Sequence, residues 1–229
     1  MRDFAHRPPH EEHAAEPLYS VTGRTTLLDE SHPTSGDSRQ QPVSGAPRSL
    51  REFARVVAAC ALLLALGDQL HVQFGVISYP SGVFFGQAWW VAPGFALATV
   101  GFIALAWRPA ARIVPPTPSS ILRDGAWFFG SYAASAVLGP HVLLVTVLLG
   151  GAWLARVVRR PDRRVVIAFS LILALVGTVS EILLHATGVC SYTNRELLLV
   201  PAWLPTLYLQ GAPLALSVTR WLRGDFCDR

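Results

Sequence analysis

Long apolar runs separated by short polar breaks fill residues 51–229, whereas the first fifty residues show no apolar periodicity. A helix that crosses a bilayer needs ~20 mostly apolar residues. The pattern predicts six such helices, over Val56–Gly75, Gly86–Trp107, Ile121–Leu138, His141–Val157, Val165–Leu184 and Val200–Val218. The third and fourth are short and are joined by "LGPH" at Leu138–His141, where Gly139 and Pro140 break the helix. The expected fold is therefore all-α, an integral membrane protein of six transmembrane helices. Residues 1–50 read as a disordered cytoplasmic tail, 51–221 as the membrane domain and 222–229 as a cytoplasmic C-terminal tail. The tail is no signal peptide, because no cleavage pattern follows the first apolar run.

Charge gives the orientation. Arg51, Arg55, Arg108, Arg112, Arg123, Arg156, Arg159, Arg160, Arg163, Arg164, Arg220, Arg223 and Arg229 all fall on one side of the predicted spans. Only Arg195 falls on the other. This asymmetry puts both termini in the cytoplasm. The net charge of +4 is no nucleic-acid signal, since the arginines sit at the ends of apolar segments. Three cysteines, Cys60, Cys190 and Cys227, are too few and too scattered for a disulfide framework.

One element occurs twice. "GVISY" at Gly75–Tyr79 and "GVCSY" at Gly188–Tyr192 each follow an acid by seven residues, Asp68 and Glu181. A histidine stands between, His71 and His185, on the same helix face as its acid. Eleven residues after each tyrosine comes a tryptophan, Trp90 and Trp203. The chain thus carries a weak parallel repeat of helices 1–2 and 5–6, with the pentapeptides at outer corners. Ionisable residues within a span usually face protein or a watery cavity. Candidates for holding the polar end of a ligand are Asp68, Gln69, His71, Gln87, Trp90, Glu181, His185 and Trp203. The pentapeptides themselves are expected to stay clear of it. The competing reading hydrates the acids and histidines at the outer interface and gives Trp89 and Trp90 to an aromatic belt.

No catalytic residue is assigned, for there is no Gly-x-Ser-x-Gly elbow, and no cofactor is expected, for there is no phosphate-binding glycine loop. No metal is expected either, because the histidine offsets differ between the two copies. Small residues at "GSYAASA", Gly130–Ala136, and at Gly150–Gly151 permit close helix packing, and Pro213 loosens span 6, where Gln210 could satisfy a freed backbone group. A homo-oligomer is expected, set down as a trimer.

The stretch Ile167–Arg220 resembles the Insig (insulin-induced gene) family, through Ile167–Phe169, Gly188–Thr193 and Ala202–Pro205. "QAWWVAP" at Gln87–Pro93 and "GSYAASAVL" at Gly130–Leu138 are similar to further family motifs, in order and over roughly residues 52–220. The resemblance implies six helices with both ends in the cytosol, and a lipid-binding regulatory protein rather than an enzyme. Animal members bind oxysterols and hold sterol-sensing partners in the endoplasmic reticulum. Here the family's acidic stretch before the fifth helix is replaced by "ARVVRRPDRR", Ala155–Arg164, and its fifth-helix Gln falls at Ile182 beside Glu181. The all-arginine basic composition looks bacterial and points to the bacterial cell membrane, with the endoplasmic reticulum as the alternative for a eukaryotic chain. For such a relative the expected ligand is a glycerolipid with a small head, diacylglycerol-like, or else a sterol-like molecule. Two other readings stay open. One is a small membrane-embedded enzyme acting on isoprenoid or lipid substrates, and the other a proton-coupled transporter.

Overall fold

The computed structural model describes Val43, Ser44 and residues 48–226. Apart from Val43, Ser44 and 48–50, the tail expected over 1–50 lies outside the described residues. Six helices form the domain: α1 (Leu50–Gln73), α2 (Val91–Ala110), α3 (Pro118–Val137), α4 (Val142–Val157), α5 (Arg163–Ala186) and α6 (Leu204–Leu222). α1, α2 and α5 are long and apolar enough to cross a membrane on their own. α4 is apolar but shorter, and α3 and α6 carry polar residues that they bury against one another. Leu62, Leu97, Leu143, Leu175 and Leu183 stay on the outside, a surface suited to lipid chains rather than water. The chain is a multi-pass membrane protein.

Two helix starts differ most from the sequence expectation. α1 begins six residues early, because Ser49 and Glu52 form a reciprocal capping box in a stretch too polar for the apolar pattern to register. α2 begins late. The residues before it form a hairpin of two short strands, β3 (Gly82–Phe84) and β4 (Gln87–Ala88), after β1 (Val43–Ser44) and β2 (Ile77–Ser78) in chain order. Its tip, Phe85 and Gly86, has φ of 49° and 88°, the double positive φ of a two-residue hairpin turn. Hydropathy cannot separate this apolar hairpin from the helix that follows it.

α6 is the central helix, packing against α2, α3, α4 and α5. One core region gathers Val145, Leu149, Val200, Trp203 and Leu207, and a second gathers Ala106, Val157, Val166, Phe169 and Leu216. Buried polar groups join α3, α4 and α6. Asp124 receives Arg156 at 3.0 Å, Ser217 Oγ at 3.0 Å and Arg160 at 3.7 Å. Arg156 also donates to Gln210 Oε1 at 2.8 Å, and Gln210 Nε2 donates to the Leu149 carbonyl at 2.8 Å. This corrects the expectation that Gln210 repairs the gap beside Pro213: it reaches across to α4 instead. Arg156 belongs to the last turn of α4 and turns inward, so it is not a free loop charge.

The two ends of the domain meet. β1 pairs with β6 (Asp225–Phe226), and Arg48 lies over the Trp221 ring at 4.7 Å. The turn between α4 and α5 is fixed by Asp162, which accepts from Arg160 at 2.8 and 3.0 Å and from the Val114 amide at 3.1 Å. Burial opposes ionisation of Asp162, but the hydrogen bonds and charge of Arg160 outweigh it and hold the carboxyl below its usual value. A lowered folded-state value stabilises above the unfolded pKa of ~4, and that stabilisation fades as pH falls through the folded value. Asp162→Asn should therefore flatten the acid side of a stability–pH profile, which thermal unfolding from pH ~6 downward would measure. An unchanged acid limb would remove Asp162 from that balance.

Candidate functional site

The site is built by the two pentapeptides. Gly75 and Gly188 stand one residue past the caps of α1 and α5 with φ of 69° and 76°, a left-handed conformation that favours glycine. At Gly75 the turn is closed by Gly75 N–H to the Val72 carbonyl (3.0 Å) and Val76 N–H to the His71 carbonyl (2.8 Å). The chain leaving each helix is thus thrown across the bundle. β2 then pairs antiparallel with β5 (Ser191–Tyr192), with Ile77 opposite Tyr192 and Ser78 opposite Ser191. Ser78 and Ser191 hold the same position in the two pentapeptides, and their Oγ atoms lie 2.9 Å apart. A local two-fold axis therefore runs between them.

Related contacts follow on both sides of that axis. The Tyr79 hydroxyl donates to Asp68 at 2.9 and 3.0 Å, and the Tyr192 hydroxyl to Glu181 at 3.4 Å. Tyr79 meets Trp90 edge-on at 5.5 Å, and Tyr192 meets Trp203 edge-on at 6.4 Å. Burial, followed by the charge of the facing acid, raises both phenols well above their ordinary pKa, so each remains a donor. The histidines diverge. His71 Nε2 lies 3.0 Å from Ser135 Oγ, and His185 Nε2 lies 3.5 Å from Cys190 Sγ while its ring stacks on Tyr192. Burial pushes the Cys190 thiol up to about 12, so it stays protonated.

These groups cap a cavity of about 730 Å³. Its polar end holds Asp68, His71, Tyr79, Tyr132, Glu181, Tyr192 and Tyr208. From there the wall turns apolar along the helices, through Phe95, Phe102, Leu173, Leu214 and Val218. Leu97 and Val176 line it while 75% and 42% exposed, so the wall opens on the outer surface at α2 and α5. Tyr208 donates to Glu181 at 3.0 Å, and Gln87 donates to Asp68 at 2.8 Å.

Of the eight candidate residues, Asp68, His71, Trp90, Glu181 and Trp203 line the cavity. Gln69, Gln87 and His185 do not. Gln69 Nε2 holds the hairpin tip through the Phe85 carbonyl at 3.1 Å, as does Gln73 at 2.9 Å. Gln87 stands behind Asp68 and orients it, and His185 backs Tyr192. Of the pentapeptides, which are expected to stay clear of the ligand, Tyr79 and Tyr192 are part of the wall. Their positions eleven residues after each acid were visible, but only the strand pairing turns them back onto those acids. Tyr132 and Tyr208 were not singled out, and nothing in their local spacing distinguishes them from packing aromatics. A second recess of about 460 Å³ surrounds Asp124, Arg156, Arg160 and Asp162, whose charges are largely spent on one another.

No family model matches the sequence, and no curated protein matches it. Solved structures do. A crystal structure of a cross-linked trimer of MvINS superposes with a TM-score of 0.67 at 21% identity, covering 79% of this chain and 98% of that one. A crystal structure of MvINS, a mycobacterial Insig homolog from Mycobacterium vanbaalenii, superposes with a TM-score of 0.61 at 23% identity, covering 78% and 94%. The chain has the six-helix fold of that bacterial Insig homolog.

Proposed function

We propose that this Insig-fold membrane protein is a non-enzymatic lipid-binding protein of the Insig type, and that its cavity holds a neutral lipid in a sensing or regulatory role. The ligand is a diacylglycerol-like glycerolipid or a sterol-like molecule. The observation that carries this reading is the axial polarity of the cavity. A long apolar wall ends in a compact set of hydrogen-bonding groups that includes Asp68 and Glu181 and no arginine. Apolar chains in the shaft contribute ~0.8 kcal/mol per buried CH₂. The two carboxylates repel a phosphate head and accept hydroxyl hydrogens, so they select against an anionic head. Asp68, His71, Trp90, Glu181 and Trp203 are the proposed head contacts among the sequence candidates, joined by Tyr79, Tyr192 and Tyr208. The opening at α2 and α5 supports access from the bilayer. The arginine asymmetry supports cytoplasmic ends in a bacterial cell membrane, and the β1–β6 pairing, which joins both ends of the domain, agrees with it. The trimer of MvINS supports a homo-oligomer here too, with the exposed apolar helix faces available to build it.

Mass spectrometry of lipid copurified from native membranes tests the reading. Wild type should carry a neutral glycerolipid or sterol-like molecule at near one per chain. Gly177 controls the cavity shape: a Cβ there would run into the ring of Tyr208, which lines the wall and holds Glu181. Gly177→Val should lower lipid occupancy about tenfold or more, by forcing that ring to move. A cavity that stays empty or detergent-filled across native-lipid preparations would refute the proposal.

A further inference from the structure

The acids of the cavity have donors but no counter-charge. Asp68 accepts from Tyr79 and Gln87, and Glu181 from Tyr192 and Tyr208. All four donors are neutral. No arginine is among the lining residues, and neither acid forms an ion pair among the described residues. The one basic ring on the wall, His71, is engaged by Ser135 Oγ at 3.0 Å. Asp68 is only 6% exposed. Two carboxylates, Asp68 buried and Glu181 half-buried, with no cation beside them are costly, and a cation that arrives with the ligand offsets that cost. The wall around them is also aromatic, with Tyr79 against Trp90 and Tyr192 against Trp203. Aromatic rings beside an acid suit an amine or a quaternary ammonium.

We infer that the cavity takes a second ligand class: a lipophilic amine or quaternary ammonium, its chain in the apolar shaft and its cation at Asp68 and Glu181. This rests on the reading of the cavity as a chain-binding site. A cation of this kind competes with the neutral lipid for one volume, so a cationic amphiphile displaces the resident lipid.

The test uses the full chain purified in a neutral maltoside detergent. Labelled decyltrimethylammonium, decanol and decyl sulfate, equal in chain length, are compared with diacylglycerol. Decyltrimethylammonium should bind at one site per chain about tenfold or more tighter than decanol, with decyl sulfate weakest, and should displace copurified lipid. Asp68→Asn with Glu181→Gln should bring the cation-to-alcohol ratio to about one. The wild-type series needs no variant, so a poorly folding double variant leaves the decision intact. A wild-type ratio near one, with decanol and diacylglycerol still bound, would overturn this inference and leave the lipid reading standing. A ratio unchanged in a folded double variant would overturn it too. Retention of no chain, whatever its head, would remove both.

Discussion

Asp124→Ala should cost about 3–5 kcal/mol, the usual loss when one partner of a buried ion pair is removed. Asp124 is 2% exposed and receives Arg156, Arg160 and Ser217. Without it, Arg156 keeps its bond to Gln210 but loses its only anion among the described residues, in a position walled by Trp127. For a domain of this size the loss corresponds to a fall of about 10 °C in the midpoint of thermal unfolding, followed in detergent. Arg156→Ala should cost a similar amount, and the double variant clearly less than the sum, because the second removal relieves the charge the first leaves unpaired. Strictly additive losses, or a single loss below ~1 kcal/mol, would show that the network is hydrated and not a tie between α3, α4 and α6.

Trp203→Ala is the second large effect, at about 3–5 kcal/mol. Trp203 is fully buried at the start of α6, stacked on His71 at 5.6 Å and edge-on to Tyr192. Its loss removes the surface against which both copies of the repeated element rest. Trp203→Phe separates packing from hydrogen bonding. The indole N–H has no partner among the described residues. Phenylalanine should therefore recover more than half of the loss, read as unfolding midpoint in detergent with copurified lipid removed. If Phe costs as much as Ala under those conditions, the indole N–H has a partner within the protein and the packing account fails.

The site was half legible. Asp68, Glu181, Trp90 and Trp203 could be picked out because an acid and a tryptophan recur at fixed offsets from a repeated pentapeptide, and all four line the cavity. Gln69 and Gln87 stand near the repeated acid and tryptophan along the chain, and His185 shares a helix face with Glu181. Proximity says little about direction, and these side chains are spent on the hairpin tip, on Asp68 and on Tyr192. The tyrosines were missed for the opposite reason: at an outer corner they look like interface anchors until the corners are joined.

By itself the sequence determined the class of the fold. Bilayer thickness imposes a length and a composition on every crossing segment, so apolar runs and breaks suffice to count helices. It also placed the repeated pentapeptides at the outer ends of two helices, where Gly75 and Gly188 take positive φ. Only the tertiary structure decided what those glycines are for. The turn at Gly75 and the turn at Gly188 send two segments toward each other, and their pairing at Ser78 and Ser191 carries Tyr79 and Tyr192 back onto Asp68 and Glu181. The Asp124–Arg156–Gln210–Ser217 network is likewise invisible in one dimension. Its members stand as much as 93 positions apart and share no period, because a buried ion pair is a property of helices in contact and not of any one helix.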